Sequence, residues 1–283
     1  MDRHRRAIDD AYMNPMLLAF AHVFWITAAS LTLLAAALSI VPRMGAAGRA
    51  VSDACARAPL LDVIVSTFTW VPWAVGALVA GWPGFGGAFA GQCVALGAWV
   101  IGHELAYRDA ARGPRIVKFI NRTVGRWRNH AALWVTLIAL PGFLFIRFIQ
   151  IACYWALPLL LGFPKYKQAE WVNCSRQKFE GLVGHDLIWC LYCDWMTGVY
   201  SLGAEMLRNV ESFWCPIRFY DGKKCENCRT DFPDIAHGWV AAEATMRDVE
   251  QVMVEKYGDG NRAWFGHPAR LTVKGKEIEV LAK

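Results

Sequence analysis

Long apolar runs with few charged residues occupy most of the first 163 residues of the chain. The first run extends from Pro15 to Val41, contains no Asp, Glu, Lys or Arg, and follows Asn14, a residue type that caps helix N-termini. A bilayer core needs about 20 consecutive apolar residues in a helix. The run therefore predicts a membrane-spanning helix that begins near Pro15.

A second apolar run, Pro59–Ala106, is too long for one span. A Gly-Trp-Pro-Gly sequence begins at Gly81 in its middle, and Gly and Pro are the residues that most strongly interrupt regular structure. The pattern predicts a tight hairpin of two helices, roughly 60–81 and 85–106. The second helix carries small residues that favour close helix packing, namely Gly87, Gly91 and Gly97.

A third apolar run covers residues 131–163 and allows two interpretations. It is either one long kinked span or a re-entrant or interfacial hairpin that turns at Pro141-Gly142. Arg147 interrupts the run, and we expect its side chain to extend to the lipid–water interface.

The distribution of basic residues favours the hairpin interpretation of this third run. If the chain returns to the same side after the run, that side carries 14 Lys and Arg residues against 3 on the other side; a full crossing gives 10 against 7. Cytoplasmic loops are enriched in Lys and Arg. The count predicts an N-terminus outside and a C-terminal domain in the cytoplasm.

These patterns predict a mostly α-helical, integral membrane protein with about three spans plus the re-entrant or interfacial hairpin. Residues 1–163 form the membrane domain, and residues 164–283 form a water-facing, Cys-rich, α-rich domain. Near the C-terminus, alternating apolar and polar residues between Ala269 and Leu281 predict a short β-hairpin.

Composition supports the membrane class and narrows the partners. The chain is 55% hydrophobic and 19% charged, whereas soluble domains contain about 25% charged residues. Its net charge of +6 arises from basic residues beside the apolar runs, which indicates anionic membrane lipids as partners and not nucleic acid. The small-residue helix surface suggests further membrane subunits as partners.

Six of the nine cysteines lie between Cys174 and Cys228. Four of them form two C-x2-C pairs, a spacing typical of a four-thiolate metal site: Cys190, Cys193, Cys225 and Cys228. Cys215 could replace one ligand. Zinc and an iron–sulfur cluster both use four thiolates, so the spacing leaves the cofactor open. Buried free thiols, or disulfides if the domain is extracellular, are the alternatives.

Candidate catalytic residues are His185, Asp186 and His237, because His and carboxylate groups carry acid–base chemistry. Common nucleotide-binding, hydrolase and zinc-protease motifs are absent from the sequence. The leading hypothesis is a membrane-anchored accessory or redox subunit with a cysteine-ligated metal. The alternative is a membrane enzyme that acts on a lipid or another apolar substrate at the interface through His185 and Asp186.

Overall fold

The computed structural model describes residues 2–163, 165–223 and 238–258, with side chains from Pro15 onward. Within these ranges the chain is helical and has no β-strand, only two isolated bridges. The helices are α1 (Asp2–Ile40), α2 (Gly45–Cys55), α3 (Leu60–Phe68), α4 (Val71–Ala106), α5 (Arg108–Arg112), α6 (Ile116–Val124), α7 (Arg126–Thr136), α8 (Leu140–Ala152), α9 (Ala156–Leu161), α10 (Gln168–Trp171), α11 (Gly184–Trp214) and α12 (Met246–Tyr257). The tail predicted to form a β-hairpin lies outside the described residues.

Three helical segments are long and apolar enough to cross a membrane: Pro15–Arg43, Val71–Ala106 and Arg126–Leu161. This confirms that the protein associates with a membrane. The chain divides into two compact units. Unit 1 comprises Met1–Trp134 and Asn173–Trp195; unit 2 comprises Val135–Val172 and Met196–Lys283.

The core of unit 1 is the contact between α1 and the second half of α4. A Cβ atom on Gly87 would lie 2.4 Å from the Phe20 carbonyl oxygen, and one on Gly91 would lie 2.5 Å from the Phe24 oxygen. Only glycine allows the two backbones to approach so closely. The prediction of close packing is confirmed for these two glycines. It is wrong for Gly97, where an added Cβ would meet no atom of the described chain within 4 Å.

The helix α4 folds back on itself at Ala80–Gly81, where its φ and ψ angles are not helical. Gly81 has a φ of +59°, a conformation that residues with a side chain rarely adopt. Beyond the turn, Gly84 lies against Gly76, and Gln92 donates a hydrogen bond to the Phe68 carbonyl. The predicted hairpin is therefore confirmed, although its first arm is interrupted between α3 and α4.

The predicted turn at Pro141-Gly142 is wrong. After α7, a short 3-10 helix over Leu137–Ala139 leads directly into α8, and Ala139 and Leu140 both have helical backbone angles. Pro141 lies in the first turn of α8, where its missing N–H leaves no helical hydrogen bond unmade. The helical path first breaks between α8 and α9.

Unit 2 packs α8 against the second half of α11. The Gln150 amide donates to the Val199 carbonyl at 2.7 Å. Arg147 is 4% exposed and donates to the side-chain oxygens of Gln150 at 3.0 Å and Gln168 at 2.7 Å. The expectation that Arg147 extends to the interface is wrong, because these acceptors satisfy its guanidinium inside unit 2.

Candidate functional site

Three polar stretches of unit 1 meet at one end of its helices, and we call them together the polar face: residues 43–58, 107–117 and 173–186. The backbone N–H of Cys174 donates to the Ala56 carbonyl at 2.8 Å, and Lys178 forms an ion pair with Asp53 at 2.7 Å. Arg43 donates to the Tyr107 hydroxyl at 2.8 Å. The polar face therefore joins residues that are far apart in the sequence.

A charged cluster, the polar centre, lies at the polar face, where Glu104 from the end of α4 joins Arg115, His185 and Asp186. The Arg115 guanidinium bridges the carboxylates of Asp186 and Glu104. Its Nε donates to Asp186 Oδ2 at 2.7 Å and its Nη2 donates to Glu104 Oε1 at 2.9 Å. The side chains of Arg115 and Asp186 are each only 5% exposed. A buried charge is tolerated when it is paired and hydrogen-bonded, and here each partner supplies that compensation.

Gly184 allows the first turn of α11 to reach the polar centre. Its φ is +52°, and a Cβ atom there would lie 2.2 Å from the Cγ of Glu104. Its N–H donates to His103 Nδ1 at 3.2 Å, and the N–H of His185 donates to Glu104 Oε1 at 3.2 Å. These bonds satisfy N–H groups that have no partner within the helix.

The hydrogen bonds around His185 assign its tautomer. Trp189 Nε1 donates to His185 Nε2 at 3.2 Å, so Nε2 carries the acceptor lone pair. Nδ1 then carries the proton; it lies 3.6 Å from Asp186 Oδ1, an electrostatic contact that is longer than a hydrogen bond, and it has no hydrogen-bond partner within the described chain. The ring of His130 lies edge-on to that of His185, with 5.3 Å between centroids. An imidazole with a carboxylate near its protonated nitrogen can act as a base, and a shortening of this contact by a few tenths of an ångström would form the orienting hydrogen bond.

The pKa of Asp186 reflects two opposing effects. Burial alone would raise it, but the adjacent His185 ring, the hydrogen bond from Arg115 and the positive charge of Arg115 lower it by more, so the net pKa lies below the ordinary value for Asp. Asp186 is therefore a carboxylate at neutral pH. It places a negative charge next to His185 and does not itself supply a proton.

A basic cavity of about 530 Å³ adjoins the polar centre and shares Arg115 with it. Its lining residues are Arg112, Gly113, Pro114, Arg115, Lys118, Asn121 and Arg122. Lys118 Nζ donates to the carbonyls of Ala111, Arg112 and Gly113 at the end of α5. Positive charge and guanidinium groups favour phosphate and carboxylate ligands.

The predicted metal ligands are only partly within the described chain. Cys190 and Cys193 lie three residues apart on α11, and Cys215 is exposed just beyond its end. Cys225, Cys228 and the candidate catalytic His237 lie outside the described residues. Among the described side chains of residues 15–163, 165–223 and 238–258, no three His, Cys, Asp or Glu residues form a potential metal site.

Two thiols in this region, those of Cys174 and Cys190, favour the protonated state. Burial raises the pKa of the Cys190 thiol, although Arg176 opposes the shift. Burial also raises the pKa of Cys174 to about 12. Metal binding requires thiolates, so a metal would have to displace these protons.

A second group of buried polar side chains lies in unit 2 and is used for packing. Ser212 donates to the Arg208 carbonyl at 2.8 Å, and the Arg208 guanidinium lies 4.3 Å from the centre of the Trp239 ring. Asn209 donates to the Tyr166 hydroxyl. The contacts with Trp239 and Tyr166 hold α11 to its neighbours within unit 2, whereas the Ser212 bond lies within α11.

Sequence reasoning found His185 and Asp186 but missed their partners Glu104 and Arg115. In the sequence, Arg115 is one of seven basic residues between positions 107 and 130, and nothing distinguishes it from the others. Glu104 offered a signal, because it is an acidic residue at the end of an apolar helix, and ionisable residues within such helices are functional candidates.

The chain matches no protein-family model, no curated protein and no solved structure. The geometry of the site is therefore the evidence for its function.

Proposed function

We propose that the protein is a membrane enzyme that acts on an anionic lipid, with His185 as its acid–base residue. The observation that carries the proposal is the position of an imidazole that faces the Asp186 carboxylate beside a basic cavity, at the end of membrane helices. Catalytic histidines commonly lie next to a carboxylate, and lipid headgroups lie at that depth in a bilayer.

The basic cavity would bind the headgroup phosphate. Arg112 and Arg122 line it and are exposed, and a guanidinium can bind two phosphate oxygens at once. Arg115 is already committed to Asp186 and Glu104, so its role is to position the acid–base pair.

His185 Nε2 would take a proton from a water molecule once that water replaces Trp189 as its partner. The water oxygen attacks the headgroup ester, the ester bond breaks, and His185 returns the proton to the leaving oxygen. Asp186 stabilises the imidazolium that forms between these steps. Hydrolysis consumes only water, so no further reactant is needed.

The basic loops support a cytoplasmic location for the polar face. Residues 107–130 contain seven Lys or Arg residues, and residues 43–58 contain three. Lys and Arg are enriched on the cytoplasmic side of membrane proteins. The C-terminal domain would then be cytoplasmic as well.

Lipid conversion in nanodiscs tests the proposal. Full-length protein is inserted into nanodiscs containing phosphatidylglycerol, phosphatidic acid and phosphatidylcholine, and the lipid species are followed by mass spectrometry. We expect loss of one anionic lipid, slowed about 100-fold or more by His185→Ala, since acid–base groups contribute on that scale. His22→Ala, an exposed histidine on α1, is the matched control. Equal rates in the wild type and His185→Ala would exclude His185 as the acid–base residue.

A cysteine-ligated metal in an accessory or redox subunit is the second candidate function. It is favoured by one observation, the position of Cys190 and Cys193 on a single turn of α11. Cys225 and Cys228 would complete the site and bind zinc or an iron–sulfur cluster. Elemental analysis tests it: about one zinc per chain, or iron with sulfide, is expected, and Cys225→Ser should abolish it. Unchanged metal content in that variant would rule out this ligand set.

A further inference from the structure

The ends of the helices in unit 1 can be placed at one level by the register of the α4 hairpin. Gly76 lies against Gly84, and Phe68 accepts a hydrogen bond from Gln92. Continuing this register brings Leu60 opposite Val100. The loop before Leu60 is therefore at the same end of the hairpin as Ala106. All three stretches of the polar face meet at this end.

The first part of α11 lies along the polar face. At its start, Asp186 accepts from Arg115 and from the backbone N–H of Val117 at 3.2 Å. Eight residues later, Asp194 accepts from the backbone N–H groups of Ser175 and Arg176, next to the contact between Cys174 and Ala56. Eight helical residues span about 12 Å. A helix attached to polar loops at both points runs parallel to the face and not away from it.

The first part of α7 lies beside this stretch of α11. The rings of His130 and His185 are 5.3 Å apart, and those of Trp134 and Trp189 are 6.3 Å apart, each pair meeting edge-on. α7 thus follows the polar face as far as Trp134. The chain rejoins unit 1 at Asn173, which forms a bridge with Arg57 on the same face.

We infer that the apolar run after Arg126 does not cross the membrane: the chain leaves the polar face at Trp134 and returns to the same side at Asn173. Residues 126–134 and 184–195 lie in the headgroup layer of that leaflet. Trp127 is 83% exposed and Trp134 is 60% exposed, and exposed tryptophans next to basic residues are characteristic of this layer. The crossings come from α1, which crosses once, and from the hairpin of α3 and α4, which crosses and returns. The inference does not depend on the proposed chemistry.

Epitope tags inserted into the full-length protein test this topology. Gly45, Gly125 and Gly181 are suitable sites, because each is exposed and has open space around it within the described chain. Antibody binding is compared between right-side-out and inverted vesicles. We expect the three tags to share one accessibility, opposite to that of a tag before Met1. Opposite accessibility of the Gly125 and Gly181 tags would overturn the inference.

Limited trypsin digestion of the untagged protein provides a second measurement that no insertion can disturb. Arg122 and Lys178 are both exposed and flank the apolar run. In sealed vesicles of one orientation, peptide mapping should find cleavage after both residues, and in the other orientation after neither. Cleavage after one residue in each orientation would show a crossing.

Discussion

Arg115 Nε donates to Asp186 Oδ2 at 2.7 Å, across 71 positions of the chain. The contact holds the start of α11 to the loop that follows the α4 hairpin. The same guanidinium donates to Glu104 and to the Val183 carbonyl. One side chain thus connects three segments of unit 1, and its removal should have a large effect on stability.

We expect Arg115→Met to lower the free energy of unfolding by about 3 kcal/mol, because Asp186 would remain buried and charged without its partner. This value is at the lower end of the range for breaking a buried ion pair, since the second partner of Arg115, Glu104, is partly exposed. Thermal unfolding in detergent measures the effect. Arg108→Met, at an exposed position, is the matched control and should change stability little.

A double mutant separates the ion pair from general packing. In the Asp186→Asn background, Arg115→Met should cost at least about 1 kcal/mol less than in the wild type, since contacting residues are energetically coupled. Strictly additive costs would show that Arg115 stabilises the fold without Asp186.

The lowered pKa of Asp186 predicts a specific dependence of stability on pH. A carboxyl with a depressed folded-state pKa contributes stability that is fully present above its unfolded value, about 3.9, and is lost as the pH falls through the folded value. We expect Asp186→Asn to lower the unfolding temperature at pH 7 and to flatten its decline below about pH 4. An undiminished decline in the variant would mean that other carboxyls cause the acid sensitivity.

Much of the helical fold could be predicted from short stretches of sequence. Features that depend on contacts between distant residues could not. The turn at Gly81 was predictable because a positive φ demands glycine. The turn predicted at Pro141 is absent from the structure. Its sequence signal was ambiguous, because proline suits the first turn of a helix as well as a chain reversal. Arg147 is buried because Gln150 and Gln168 accept its hydrogen bonds, and one of these acceptors is 21 residues away.

The candidate site was predictable only in part for the same reason. His185 and Asp186 are adjacent, so their pairing could be suspected from the sequence. Arg115 and Glu104 join them only after the α4 hairpin and α11 have packed together. No periodicity or spacing in the sequence connects residues 71 positions apart.

The contact between α1 and α4 predicts a sharp difference among three glycines. Gly87→Leu and Gly91→Leu should each destabilise the protein by about 1–3 kcal/mol, because the new side chain would push the two helix backbones apart. Gly97→Leu is the control on the same helix and should be neutral or stabilising, since all three changes gain the same helix propensity. Thermal stability of the three variants in one detergent decides the question. Equal stability of all three would remove the argument for close packing at Gly87 and Gly91.

The α4 hairpin depends on the backbone conformation of Gly81, with φ +59° and ψ −145°. A side chain in such a conformation costs about 1–3 kcal/mol. We expect Gly81→Ala to reduce stability by this amount, whereas Gly102→Ala, on the same helix with open surroundings, should increase it by about 0.5–1 kcal/mol. Both are measured by thermal unfolding. If the helix ran straight through Gly81, alanine would increase stability at both positions. Because the chain reverses at Gly81, we expect alanine to decrease stability there and to increase it at Gly102.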